Sequence, residues 1–295
     1  MKTALKVISV ILAFALVACC FASCKQNENN PSDSAPSGTA AKGVAKVIPI
    51  SLTEEQYGLA VAKNDAELLK AVNEFIAEIK KDGTFDAIVK KYFQDGNPEG
   101  IESAKLDKSK DQLVVATNAE FAPFEYKDGD KFLGVDLEIA AALAKKLGKE
   151  LVIKDVDFDS VLNEVESGNA NMAAAGLTVN EDRKKQVNFS ETYYTASQYL
   201  VTPASDTKFD GCKTKEDVEK LLGELGKDVK IGFQNGTTGQ YYVSGSSDYP
   251  GLGVTPAGFD SGALAAQAMA NGNIQYVIID AAPAQVIVDT LNKAG

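Results

Sequence analysis

Arg183 is the single arginine in a chain with 30 Lys+Arg residues. Its planar guanidinium offers parallel N–H donors that match a carboxylate, a grip that lysine, a point charge, does not reproduce. Arg183 either holds an anionic group or pairs on the surface with its neighbours Glu181 or Asp182. A second charged position, Asp280, ends the apolar run 276–279. A carboxylate there can pair with an ammonium, or it can cap a helix over the Ala-Ala-Pro that follows. Thr238 lies in the glycine-bounded turn Gly236-Thr237-Thr238-Gly239, ahead of a possible helix whose backbone N–H groups would favour an anion. The turn lacks the Gly-Lys-Ser/Thr of a Walker phosphate loop.

Absences narrow the chemistry. The chain has no histidine and no tryptophan. That excludes Ser-His-Asp and Cys-His triads and a histidine zinc site, and neither a metal nor a cofactor is expected. Glu120 is the one suggestive general acid or base, which is too little for an enzyme. Cys19, Cys20 and Cys24 crowd the N-terminus and leave only Cys212 in the body, so no internal disulfide is expected there. The net charge is -11, with no basic stripe of the kind a nucleic-acid binder carries. Such acidity suits a soluble monomer.

These residues need elements to position them. Apolar runs predict strands at 47–52, 57–61, 113–116, 151–154, 172–175, 198–202, 229–233 and 276–279. Helical spacing predicts helices from Asp65 to a stop at Gly83, and over 84–93, 136–147, 158–167, 215–225 and 264–270. The polar stretch 94–111 breaks all periodicity and reads as a linker. Strands alternate with helices almost throughout, which predicts an α/β protein with mainly parallel sheets.

The N-terminus reads as an export signal. Lys2 and Lys6 precede an apolar run over 7–18 that is too short to span a bilayer comfortably. Two lipobox-like stretches follow, Leu16-Val17-Ala18-Cys19 and Phe21-Ala22-Ser23-Cys24. Cys24 is the preferred lipidation site because a polar run follows it at once; Cys19 is the alternative. Residues 1–24 are expected to be a lipoprotein signal peptide, and 25–43, rich in Asn, Ser, Pro and Gly, a flexible tether.

Four stretches carry a family resemblance: ATNAEFAPFEY at 116–126; AGLT at 175–178, running on through RKKQVNFS at 183–190; GTTG at 236–239; and IID at 278–280. Across 44–295 the chain resembles the amino-acid-binding, or solute-binding, proteins of ABC transporters, in the polar amino acid class. The resemblance implies a two-lobed periplasmic-binding-protein-like fold of type II with two hinge crossovers. It implies an extracytoplasmic protein that captures a free amino acid by lobe closure and delivers it to a membrane permease. A ligand sensor on the same scaffold, without a transport role, is the alternative; it would usually continue into a transmembrane helix and an output domain.

By resemblance, Arg183 and the Thr178 and Thr238 backbone N–H groups hold the ligand carboxylate. Asp280 and the Gly176 carbonyl hold its ammonium. Phe121 and Phe158 sandwich its side-chain stem, and Asn118 and Gln234 tune side-chain preference. Asn118 is neutral where cation-selective relatives often carry a carboxylate. Gly176 has a plainer reading as a turn glycine, and Phe121 and Phe158 as core. Tyr57 and the stretch 194–197 mark the hinge crossovers, with Tyr57 structural rather than ligand-touching. One departure stands out: residues 47–93 resemble the family's C-terminal segment. The family order would be 112–295 followed by 44–93, which a circular permutation explains. A carboxylate-binding lobe at 55–197 then includes 94–111 as the permutation linker, and 44–54 plus 198–295 form the second lobe.

Overall fold

The computed structural model describes residues 43–94 and 96–294. The expected signal peptide over 1–24, with Cys19 and Cys24, lies outside the described residues, and so does the tether apart from Gly43. In chain order the strands are β1 (Ala45–Ile48), β2 (Glu55–Tyr57), β3 (Ala60–Val61), β4 (Gln112–Thr117), β5 (Glu120–Phe121), β6 (Glu125–Asp128), β7 (Lys131–Leu133), β8 (Glu150–Asp155), β9 (Met172–Ala173), β10 (Asn188–Phe189), β11 (Tyr194–Ala196), β12 (Gln198–Pro203), β13 (Lys230–Gln234), β14 (Thr255–Phe259) and β15 (Tyr276–Asp280). The helices are α1 (Ala66–Lys81), α2 (Thr84–Phe93), α3 (Val135–Leu147), α4 (Val161–Glu166), α5 (Glu181–Gln186), α6 (Lys215–Gly223), α7 (Thr238–Ser244), α8 (Gly262–Ala270) and α9 (Ala281–Ala294).

Two five-stranded sheets organise the molecule, with strand orders β10-β3-β9-β4-β8 and β1-β12-β15-β13-β14. Neither is mainly parallel. In the first, β4 runs parallel to β8 and β9, but β3 is antiparallel to β9 and β10. In the second, β13 is parallel to β14 and β15, but β12 is antiparallel to β1 and β15. The reason is local. A parallel neighbour needs a long crossover, usually a helix, whereas β3 and β12 follow the short strands β2 and β11 with no helix between. Those two strands pair antiparallel with each other, Tyr57 opposite Tyr194, and form a separate two-stranded ribbon leading to both sheets.

The helices form where the apolar spacing requires. Asp65 caps α1 by accepting the Leu68 N–H at 2.9 Å, and Val72, Phe75, Ile76 and Ile79 are its buried face. That face and Ile88 of α2 share one buried cluster with Leu113 and Val115 of β4, so residues 66–93 pack against the sheet that contains β4. The stretch expected as a linker is tied down in its second half. Ile101 bridges Phe132, the Ala104 N–H donates to the Leu151 carbonyl, and Ser103 Oγ accepts the Ile153 N–H. At the other end of the chain, Asn292 of α9 exchanges two 3.0 Å hydrogen bonds with the backbone of Ala45.

Candidate functional site

The carboxyl ends of strands from the two sheets converge, which is where open α/β sheets place ligand sites. Asn118 follows β4, Gln234 ends β13 and Asp280 ends β15. Asn180 caps α5 by accepting the Arg183 N–H at 2.8 Å, and this fixes the first turn that carries the arginine.

Arg183 is buried, so it is not the surface ion pair that its neighbours allowed; those acids pair with Lys184 and Lys185 instead. Its Nη1 donates to the Thr178 carbonyl at 2.8 Å and its Nη2 to the Gly236 carbonyl at 3.0 Å. The guanidinium lies over the Phe158 ring, 5.5 Å from the centroid, a cation–π contact. Burial pulls its pKa below the ordinary arginine value, while nearby Tyr241, Glu55 and Asp280 oppose that. A desolvated guanidinium whose donors rest on neutral carbonyls is primed for an anion.

Asp280 is buried and accepts the Tyr57 hydroxyl. Burial, then the charge of Glu55, push its carboxyl up to about 7, against hydrogen bonds from Tyr57 and Gln198. Tyr57 is itself fully buried, edge-on to Phe124 and tilted against Tyr194. Thr178 and Thr238 meet hydroxyl to hydroxyl at 3.3 Å, and Gln234 Nε2 donates to Asn118 Oδ1 at 2.8 Å. Phe121, Phe158, Gly176, Thr178, Arg183, Thr238 and Asp280 line one enclosed cavity of about 10 Å³. Asn118 and Gln234 are not among its walls, although their hydrogen bond bridges the same two sheets. At about 10 Å³ the cavity has room for one water at most. A ligand of amino-acid size therefore enters only when the bridging contacts part.

Two glycines are forced by geometry. Gly176 has φ +53°, and a Cβ there would lie 3.0 Å from Phe121 Cε1, so its backbone is pressed against the aromatic wall. Gly236 has φ +76°, and a Cβ would lie 3.1 Å from Asp159 Cα across the cleft. Glu120 is exposed and takes no part in the enclosed site.

Three buried carboxylates went unread in the sequence. Glu55 accepts Thr53 Oγ1 at 2.6 Å and Gln198 Nε2 at 3.0 Å on one oxygen, and Thr178 Oγ1 at 2.6 Å on the other. Asp136 accepts the Gly176 N–H at 2.9 Å and the Tyr193 hydroxyl at 2.7 Å; burial pushes its carboxyl up to about 6. Glu125 is fully buried with neither oxygen hydrogen-bonded among the described residues. Burial, then Asp136, holds its carboxyl well above the usual range.

The family description "Bacterial extracellular solute-binding proteins, family 3" matches residues 13–95 and 113–288. The arginine-binding extracellular protein ArtP of Bacillus subtilis (strain 168) is 41% identical over 125 residues, 42% of this chain and 48% of that protein. The chain thus spans about half the length of this curated relative. Among solved structures, an ancestral arginine-binding protein bound to arginine is similar with TM-score 0.53 and 35% identity, over 63% of this chain and 77% of that one. The ancestral amino-acid-binding protein AncCDT-1, described as a precursor of cyclohexadienyl dehydratase, is similar with TM-score 0.52 and 26% identity, over 60% and 73%. These neighbours share the two-lobed periplasmic-binding-protein fold with the mixed α/β architecture seen here.

Proposed function

The chain belongs to the bacterial extracellular solute-binding proteins, family 3, and we propose that it captures a free polar amino acid by lobe closure and hands it to the permease of an ABC transporter. The observation that carries this reading is the pairing of opposite charges in one enclosed site. Arg183 is a buried cation with the donor geometry of a carboxylate clamp, and Asp280, a buried acid, lines the same cavity. A free amino acid carries the complementary pair. In this reading Arg183 with the Thr178 and Thr238 N–H groups binds the carboxylate, and Asp280 with the Gly176 carbonyl binds the ammonium. Phe121 and Phe158 flank the stem, and Asn118 and Gln234 meet the side chain.

The two lobes are proposed as 55–197, with 94–111 as joiner, and 44–54 plus 198–295. The strand memberships of the two sheets support these bounds. Circular permutation is supported by the packing of residues 66–93 in the cluster that holds β4. The protein is read as a monomer without enzymatic activity, since no histidine is available and Glu120 faces outward. A signal peptide over 1–24 and a lipid on Cys24 (alternative Cys19) would hold it outside the cytoplasm at the membrane, on the tether 25–43.

Isothermal titration against the twenty amino acids tests the central claim. A polar amino acid should bind with one-to-one stoichiometry, and heat from none of the twenty would sink it.

A further inference from the structure

We infer that the side-chain end of this site selects a carboxamide, glutamine or asparagine, over a guanidinium or a carboxylate. The inference rests on the amino-acid reading above and concerns only what lies beyond the two charged ends.

Asn118 and Gln234 are 5% and 2% exposed, so whatever reaches them leaves water behind. Their amides are oriented by their partners. Asn118 Nδ2 donates to the Val156 carbonyl at 3.0 Å, which turns its Oδ1 toward Gln234. Gln234 Nε2 donates to that Oδ1 at 2.8 Å and to the Asp260 carbonyl at 3.1 Å. Both amide hydrogens of Gln234 are thereby used. Its Oε1 is buried without a hydrogen-bond partner among the described residues. A buried acceptor left unpaired is costly, and a donor N–H from a ligand removes that cost.

Charge decides which donor. The acids next to this pair in the chain and at the neighbouring strand ends are Glu120, Asp155, Asp157, Asp159 and Asp260, and all five are exposed. Asp155 also spends one oxygen on the Ala119 N–H and the other on Lys127. Arg183, Asp280 and Glu55, buried charges of the cleft, are engaged elsewhere, Glu55 by Thr53, Gln198 and Thr178. A guanidinium at Gln234 would be desolvated against neutral amides with no buried counter-charge. A carboxylate would present oxygen to oxygen. A carboxamide supplies an N–H to Gln234 Oε1 and carries no charge to bury. Once the Asn118–Gln234 bond opens around a ligand, the same carboxamide complements the freed donor and acceptor.

The test is isothermal titration of the purified protein, dialysed free of carried-over ligand, with L-glutamine, L-asparagine, L-arginine and L-glutamate. The tighter-binding carboxamide should exceed arginine and glutamate by roughly tenfold or more, the worth of one well-made buried hydrogen bond. Gln234→Leu should weaken that carboxamide by about tenfold. Gln234→Glu should shift the preference toward arginine. Arginine or glutamate binding as tightly as the tighter-binding carboxamide would overturn this inference and leave the amino-acid reading standing. Failure of all twenty amino acids to bind would overturn both. Unchanged carboxamide affinity in a Gln234→Leu protein that melts normally would also overturn it.

Discussion

A zwitterion asks two residues to stay charged where water is scarce, and Arg183 and Asp280 meet that demand differently. Arginine keeps its proton under burial, so its contribution is geometric. Arg183→Lys should keep the charge, lose the parallel donors and weaken amino-acid binding by about 2–5 kcal/mol, roughly thirty- to several-thousand-fold. The ligand-free melting temperature should barely move, and a dissociation constant within about threefold of the parent would place the carboxylate elsewhere. Asp280, by contrast, titrates. Its carboxyl is raised to about 7 by burial and by Glu55, so without ligand it holds a proton below that pH. Pairing with an ammonium requires the ionised form. Affinity should therefore fall as pH drops below about 7, approaching tenfold per unit, and level off above it. Titrations in buffers of different ionisation enthalpy at pH 6 should show a proton released on binding, and a flat affinity from about pH 5.5 to 8 would contradict the pairing. The same raised value gives the ligand-free fold a contribution that is full below the unfolded carboxyl's range and lost as pH rises through about 7. Arg183, Asp280 and Gly176 could be singled out in the sequence because each is rare or sits at a distinctive junction. Glu55 could not. In Glu54-Glu55 only strand alternation separates an exposed acid from a buried one, and β2 is three residues long.

Elements with several turns or a long apolar run were legible. The helices α1, α2, α3, α6 and α8 and the strands β4, β8, β12, β13 and β15 fall close to where periodicity puts them. The two- and three-residue strands β5, β10 and β11 are too short to show a period. For α9 the sequence offers only the cap that Asp280 could give to Ala-Ala-Pro. Pro283 is compatible with it because it stands in the first turn, where its missing N–H would be unpaired in any case. The sheets' mixed direction departs from the parallel expectation because alternation of strands and helices says nothing about strands that enter straight from the crossover ribbon. The packing of α1 on the β4 sheet has a direct test. Phe75 is 5% exposed in the cluster shared with Leu113 and Val115. Phe75→Ala should cost about 3–5 kcal/mol in denaturant unfolding, through lost burial and the cavity left behind. If α1 and α2 belong to the lobe built on β4, tryptophan introduced near β4 should report the lowered midpoint. An unmoved β4 signal would mean that residues 66–93 form a unit of their own.

At the scale of the whole molecule two attachments matter: the chain to the membrane, and its two ends to each other. An acylated cysteine carrying two or three chains anchors stably where one chain is marginal. Cys24→Ala should therefore move the protein from the membrane pellet to the soluble fraction; release by Cys19→Ala alone would transfer the lipid to Cys19. The second attachment bears on permutation. Asn292 bonds to Ala45 through both its amide oxygen and its amide nitrogen, so the two ends of the described fold already touch. Closing them with a few glycines and serines spans only a short gap and orders little new chain. The joiner, by contrast, reaches up to roughly 60 Å if extended. It is tied to the sheet edge only from Ile101 onward, while Gly96 to Gly100 precede those contacts. A chain opened between Gly96 and Gly100, and closed from Ala294 to Gly43, restores the order 112–294 followed by 44–93. It keeps every strand pairing described above, because no cut or join falls inside a strand or helix. Domains tolerate such rearrangement when the ends are close and the opened loop is exposed. The rearranged protein should melt within a few degrees of the parent, since loop entropies differ by only about 1 kcal/mol. It should also bind the same amino acid with a dissociation constant within about threefold, because no residue of the cleft is moved. If it fails to fold while the parent folds, the present order is required by the architecture, and the permutation reading falls.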